Sequence, residues 1–329
     1  MSSGRKRNNI SPGSSIKLKR KLPILTGRGD RTEKLNAVLI DLSKKTEDQL
    51  EYWDAFENYL VGQREFRKER IHETLRSKMI SGYDDGHLVR VVDTRYQNRP
   101  LSSFGSIVVA PGGRFNFGEI SASRERFQAL YLASDFRTAV SERFLKDQGS
   151  QGSVKQDSLI LRLDPEASFS SYRIRASNLN VIDIRKDESL EPFLEVVAEI
   201  VAPRWLVDLA KKLKQPPPQT IQSVKILRAL LLDPNFTQWG SLIDQPSTSQ
   251  WFGYYVREAG IHGIVYPSVR SREGYNLCVF PDTFSGSSAK IELLDSAAGV
   301  LLEDRTLDET NATFHMQISK QDSGQDLVH

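Results

Sequence analysis

Arg114 is framed by glycines in the run Gly112-Gly113-Arg114-Phe115-Asn116-Phe117-Gly118. The glycine pair opens backbone conformations closed to other residues and lets the chain approach a ligand closely. The guanidinium offers a planar fork of donors suited to carboxylate or phosphate, and it could equally brace a turn by bonding carbonyls. A second arginine, Arg90, lies inside the β-branched run Leu88-Val89-Arg90-Val91-Val92. A charge in a short apolar strand is costly to bury unpaired. Arg90 therefore either faces solvent on an edge strand or points into a site that holds an anion. A carboxylate follows at Glu142, on a helix beside its apolar stripe, with Arg143 nearer the middle of the stripe. Periodicity does not choose between these two charges, and both could be ordinary helix charges, one of them snorkelling.

These side chains need elements to position them. Ala129-Leu130-Tyr131-Leu132-Ala133 reads as a short buried strand. Ser134 then stands where an N-cap belongs, Asp135 suits the positive end of a helix dipole, and Phe136, Val140 and Phe144 give that helix a core face. Further strands are expected at Leu88–Val92, 107–110, 159–163 and 181–184, at 260–266 ending in Pro267-Ser268, at 276–280, and at Ile291–Leu294. Gly82-Tyr83-Asp84-Asp85-Gly86 reads as a turn. Amphipathic helices are expected over 32–80, one around Leu35–Leu42 and a longer one from Leu50 to Ile71. The stretch 190–232 reads as mainly helical, interrupted by Pro203 and by Pro216-Pro217-Pro218, and 247–259 as a helix. Strands with helical crossings imply a mixed α/β, or α+β, fold. The organisation expected is a basic tail over 1–31, a helical N-terminal extension over 32–80, a main domain over 81–282 and a C-terminal extension over 283–329.

The chain has 329 residues, a net charge of +3 and a hydrophobic fraction of 39%. The charge imbalance is local: Arg5-Lys6-Arg7 and Lys17-Leu18-Lys19-Arg20-Lys21 lie in a tail too polar to order itself. That tail is either solvated or an arm for nucleic acid or another anionic partner. One cysteine, Cys278, excludes an internal disulfide framework and, in an apolar run, reads as a buried thiol. No run is long and apolar enough to span a membrane and no secretory leader is evident, so a cytoplasmic location is expected. Phosphate-binding loops, dinucleotide fingerprints and His-Glu-x-x-His are absent, and the histidines show no metal-ligand spacing. His262 reads as structural.

Arg90, Gly113-Arg114-Phe115-Asn116, Leu130-Tyr131-Leu132-Ala133, Glu142 and Tyr266-Pro267-Ser268, with Asn276-Leu277-x-Val279-Phe280 following, resemble the RES domain over about residues 87–282. The resemblance implies a fold like that of ADP-ribosylating toxins. It also implies the activity of the RES proteins studied, most of them toxins of toxin–antitoxin pairs, which destroy NAD⁺. The substrate implied is NAD⁺, with inorganic phosphate a possible co-substrate, no cofactor or metal, and an antitoxin or immunity protein as a partner. The bond implied is the nicotinamide–ribose N-glycosidic link, whose transition state resembles an oxocarbenium ion. Glu142 would stabilise that cation or hold the sugar hydroxyls, and Arg90 and Arg114 would clamp the pyrophosphate. Tyr131 would pack on nicotinamide or ribose, and Ser268 would bond substrate or orient the attacking group. Tyr131 could instead be core, and Ser268 could cap a turn. Asn116 reads as structural, tying its loop. An extra charged piece at 121–127 and a long interval between Glu142 and Ser268 depart from a compact RES toxin. A mono-ADP-ribosyltransferase and a non-enzymatic binding protein are the competing readings.

Overall fold

The computed structural model describes residues 28–108, 111–118, 125–144, 168–237, 245–295 and 301–312, with side chains described from residue 44 onward. The basic tail, the strand expected at 159–163 and most of the charged piece at 121–127 lie outside the described residues. Two compact units divide at residues 48 and 49. The first is described as helix over residues 28–48. The second holds everything that follows.

Helix α1 covers Arg28–Phe66 and α2 covers Lys68–Ser77, so the helical stretch breaks at Arg67. The strands are β1 (Ile80–Asp93), β2 (Leu130–Ala133), β3 (Phe169–Asp183), β4 (Gly263–Pro267), β5 (Tyr275–Val279), β6 (Lys290–Leu293) and β7 (Thr306–Leu307). Between them run the single turn α3 (Gly105–Val108), then α4 (Phe136–Phe144), α5 (Glu191–Ala198), α6 (Arg204–Lys212), α7 (Val224–Leu231) and α8 (Thr248–Glu258). The fold is α+β, as expected.

The strand order is β1-β2-β5-β4-β3-β6-β7, and an additional β1–β3 pairing closes five of these strands into a ring. Among the described residues only β3 and β4 pair in parallel, and α5 to α8 lie in the crossover between them. Alternation along each strand sends successive side chains to opposite faces. Leu88, Leu130, Leu132, Tyr172, Ile174, Val265, Leu277 and Val279 form one buried cluster, joined by Ile291 of β6. Ala129, Ile182, Ile264, Tyr266, Cys278 and Phe280 turn to the other face and meet Ile71 and Leu75 of α2 and residues of α5, α7 and α8. A separate cluster joins Tyr52 and Phe56 of α1 to Leu206 and Ala210 of α6.

Several expectations change. The run at 107–110, read as a strand, begins inside the helical turn α3, because Ser106 and Ile107 N–H groups fold back to the carbonyls of Ser103 and Phe104. A short apolar run carries no period that separates the two states. The glycine cluster at 82–86 is a bulged part of β1, with shifts of register against β3 and φ of +67° at Gly82. The strand read at 181–184 is the end of β3, which starts at Phe169. The strand expected at Ile291–Leu294 is β6, which pairs with β3, and β7 pairs with β6 in turn.

Candidate active site

The glycine-framed loop is a knot of hydrogen bonds. Gly118 N–H closes it on the Pro111 carbonyl at 2.9 Å. Gly112 has φ of +106°, a conformation that disfavours any side chain. A Cβ on Gly113 would collide with the Tyr131 hydroxyl and the Asn116 amide oxygen. That hydroxyl accepts from Phe115 N–H at 2.9 Å and donates to Asn116 Oδ1 at 2.8 Å. Asn116, fully buried, also donates to the carbonyls of Ser106 and Phe127, so it ties the loop as its sequence position suggested. Buried Gln250 of α8 completes the knot: its Nε2 reaches the carbonyls of Pro111, Gly113 and Asn116 at 3.0, 3.1 and 3.1 Å. Ser247 fixes the start of α8 with a capping box that includes the Gln250 side chain, which holds this amide in place.

Arg114 leaves this loop toward α7. Its Nη1 donates to the carbonyls of Leu231 and Asp233 at 3.2 and 2.8 Å, and its guanidinium lies 4.8 Å from the Phe236 ring centre. In this state the side chain braces the end of α7. Tyr131 is half-buried, and burial pushes its phenol well above the ordinary range. Its hydroxyl is occupied by the loop.

Glu142 sits in the last turn of α4. Asp135, not Ser134, caps this helix, accepting from Thr138 N–H at 2.8 Å while Ser134 Oγ supports its second oxygen. The core face also differs from expectation. Thr138, Ala139, Val140 and Ser141 are buried, whereas Phe136 is half exposed and both Phe136 and Phe144 lie against Phe169. Close packing against the β4–β5 hairpin decides this, for Gly274 is seated so near Thr138 that any Cβ there would clash.

The same hairpin delivers the partners of Glu142. Ser268 Oγ donates to Glu142 Oε1 at 2.6 Å, and Asn276 Nδ2 donates to the same oxygen at 3.0 Å. Ser268 Oγ in turn accepts from the backbone N–H of Arg270 and Ser271 at 3.2 and 2.9 Å. Arg270 donates through Nη1 to the Glu142 carbonyl at 2.8 Å, while its Nε stands 3.9 Å from Glu142 Oε2. Tyr266 is buried in contact with Phe115, their ring centres 4.9 Å apart. Burial, then the Glu142 carboxylate, holds its phenol far above the usual range, and Arg114 pulls the other way. Tyr266 thus stands between Glu142 and the Arg114 loop.

Arg90 is placed differently. Alternation puts it on the face of Leu88 and Val92, opposite to that of Tyr266 and Cys278. Its Nη2 donates to the Ser102 carbonyl at 2.7 Å, and its Nη1 is buried with no hydrogen-bond partner. Burial, then Arg143, presses the guanidinium down to about 10, which still leaves it charged at neutral pH. Among the described residues no hydrogen bond or ion pair joins Arg90, Arg114 and Glu142 to one another. Glu142 and Ser268 meet directly; Arg114 and Tyr131 come near them through Phe115 and Tyr266; Arg90 lies on the opposite face of the sheet from Tyr266.

A family model described as "RES domain" matches residues 87–297. The chain belongs to the RES-domain family. The matched span begins within β1 and runs past β6, so the loop, the Glu142 cluster and all of the ring except the first half of β1 lie inside the RES domain. No curated protein matches the chain. Among solved structures it is similar to "Crystal structure of the M.tuberculosis MbcT-MbcA toxin-antitoxin complex", at 15% identity and a TM-score of 0.40, over 77% of this chain and 98% of that one.

Sequence reasoning gave no role to Asn276, Arg270 or Gln250. Asn276 stood inside the motif that follows Ser268, and Arg270 just beyond Pro267-Ser268, so proximity to the motif was the available signal. Gln250 carries none: a glutamine in a helix looks like any other polar residue until its carbonyl partners are placed.

Proposed function

We propose that this RES domain cleaves the N-glycosidic bond between nicotinamide and ribose of NAD⁺, and that it acts as a toxin by depleting the cellular pool. The observation that carries the reading is the Glu142 carboxylate fixed by Ser268 and Asn276. Both donors bind Oε1, which leaves Oε2 as the oxygen to face a ribose that gains positive charge. As the C–N bond breaks, its electron pair moves onto the nicotinamide ring nitrogen and neutralises it, so the leaving group needs no proton. The sugar carbon becomes oxocarbenium-like, and a nearby carboxylate stabilises it. Water or inorganic phosphate then adds to that carbon, giving ADP-ribose or its 1-phosphate. Arg90 would contact the pyrophosphate with its unpartnered Nη1. Arg114 would contribute through the guanidinium edge not engaged with α7, and Tyr131 through its ring. An antitoxin-type partner protein and a cytoplasmic site of action belong to the same reading, and the basic tail would serve an anionic partner.

The deciding experiment is NAD⁺ consumption by the full chain with chromatographic assignment of products. The wild type should release nicotinamide, and Glu142→Ala should lower the rate by on the order of 10²–10³-fold with unchanged folding. Undiminished turnover in Glu142→Ala would remove the carboxylate from the reaction. Label from NAD⁺ appearing on a macromolecule would replace degradation with ADP-ribosyl transfer.

A further inference from the structure

We infer that Arg270, on the turn between β4 and β5, is the residue that positions the Glu142 carboxylate for bond cleavage. The inference rests on the proposed NAD⁺ reaction for its purpose and on the geometry of the turn for its substance. Glu142 stands in the last turn of α4, where helix carbonyls lack intrahelical partners and the chain frays most easily. A carboxylate carried there needs an anchor outside the helix. Arg270 supplies three links. Its Nη1 donates to the Glu142 main-chain carbonyl at 2.8 Å, which ties the helix end to the turn. Its backbone N–H donates to Ser268 Oγ at 3.2 Å, and that hydroxyl donates to Glu142 Oε1 at 2.6 Å. Its Nε stands 3.9 Å from Oε2, an ion-pair distance longer than a hydrogen bond.

The three links act on different parts of the residue. Ser268 and Asn276 fix one oxygen, but bonds to Oε1 alone leave the helix end free to pivot around it. The bond to the main-chain carbonyl removes that pivot. The charge facing Oε2 attracts that oxygen without using its lone pairs, so Oε2 can still accept from a ribose hydroxyl or face the sugar cation. The side chains of Arg270 and Glu142 are only 21% and 27% exposed, so salt screens this pair less than a surface pair. A lysine is not equivalent, because one ammonium lacks the planar fork that serves the carbonyl and flanks the carboxylate together. Arg270 touches no reacting atom in this scheme; it acts through Glu142.

The test is steady-state kinetics of NAD⁺ loss by the full chain for wild type, Arg270→Gln and Arg270→Lys, each also in a Glu142→Ala background, with crystal structures of the wild type and Arg270→Gln. Arg270→Gln should lower kcat on the order of 10²-fold with KM little changed, because a misplaced reacting group loses rate rather than binding. Arg270→Lys should recover part of that loss. In the Glu142→Ala background Arg270→Gln should have no further effect, the signature of a residue that works through another. A wild-type kcat in Arg270→Gln, or the same loss with and without Glu142, overturns the inference. A loss carried by KM also overturns it and makes Arg270 a substrate ligand. In the Arg270→Gln crystals the carboxylate should leave its place against Ser268 and Asn276, and an unmoved carboxylate overturns the inference. A displaced carboxylate in a protein whose wild type leaves NAD⁺ intact would discard the catalytic reading and keep the positioning role.

Discussion

At Glu142 the two carboxylate oxygens have different surroundings. Oε1 accepts from Ser268 Oγ and Asn276 Nδ2, and Oε2 faces Arg270 Nε at 3.9 Å. This asymmetry gives a sharp test. Asn276→Asp keeps the shape but sets a second carboxylate against Oε1. Like charges at that range raise a carboxyl pKa. If ionised Glu142 is the working form, the acidic limb of the pH–rate profile for NAD⁺ loss should move to higher pH. A profile that merely drops in height, with its limb in place, would argue against a charged role for Glu142. Ser268→Ala removes more than one bond, because Ser268 Oγ also holds the N–H groups of Arg270 and Ser271. We expect it to lower both turnover and stability, the latter by about 1–3 kcal/mol for the stranded groups, measured by denaturant unfolding.

At the scale of elements, the site depends on two contacts without side-chain bulk. Gly274 lies against Thr138 at the start of α4, and Gly113 lies under the Tyr131 hydroxyl. Gly113→Ala should cost about 1–3 kcal/mol through overpacking, read as a lowered midpoint in thermal or urea unfolding. An unchanged midpoint would mean that the loop has room to shift. These contacts explain what the letters revealed and what they withheld. Strands β2, β4 and β5 were legible because Leu130-Tyr131-Leu132, Ile264-Val265-Tyr266 and Leu277-Cys278-Val279 are apolar on both faces, each face being covered. The first part of β3 was not, since Ser170, Ser171, Arg173 and Arg175 break the apolar run. Helix α4 was legible as a helix but not in its orientation. A residue without a side chain chose its buried face, and no wheel displays such a residue.

For the whole molecule, ring closure was the least legible property. It comes from the β1–β3 pairing, which joins residues such as Arg90 and Tyr172 across a long stretch of chain. Stability of the closed ring should depend on pH through two buried histidines. His262 Nδ1 accepts from Asn180 N–H at 2.9 Å beside Phe284, and burial lowers its pKa. His72 is lowered by burial, then by Lys68 and Arg76. Both bind a proton less readily folded than unfolded, where the reference value is 6.5. Their stabilisation is therefore complete above that value and is lost as pH falls below it. Thermal midpoints should decline from pH 7.5 to 5, and His262→Gln, which can still accept from Asn180, should decline less. Parallel slopes for the two proteins would exclude His262. Asp282 works the opposite way at lower pH, since burial raises its carboxyl pKa, and the mutant comparison separates the two.

Gln250 offers one amide nitrogen to three carbonyls of a loop that lies well over a hundred residues earlier in the chain. The outline of that loop is therefore written in two places, and only one of them is visible in its own letters. A fragment ending before α8 would keep every residue of the glycine-framed segment and lose the peg it is moulded around. Anyone transplanting the segment into another scaffold must bring the helix with it, and Gln250→Glu, which swaps the shared donor for an acceptor among acceptors, would turn the peg into a wedge.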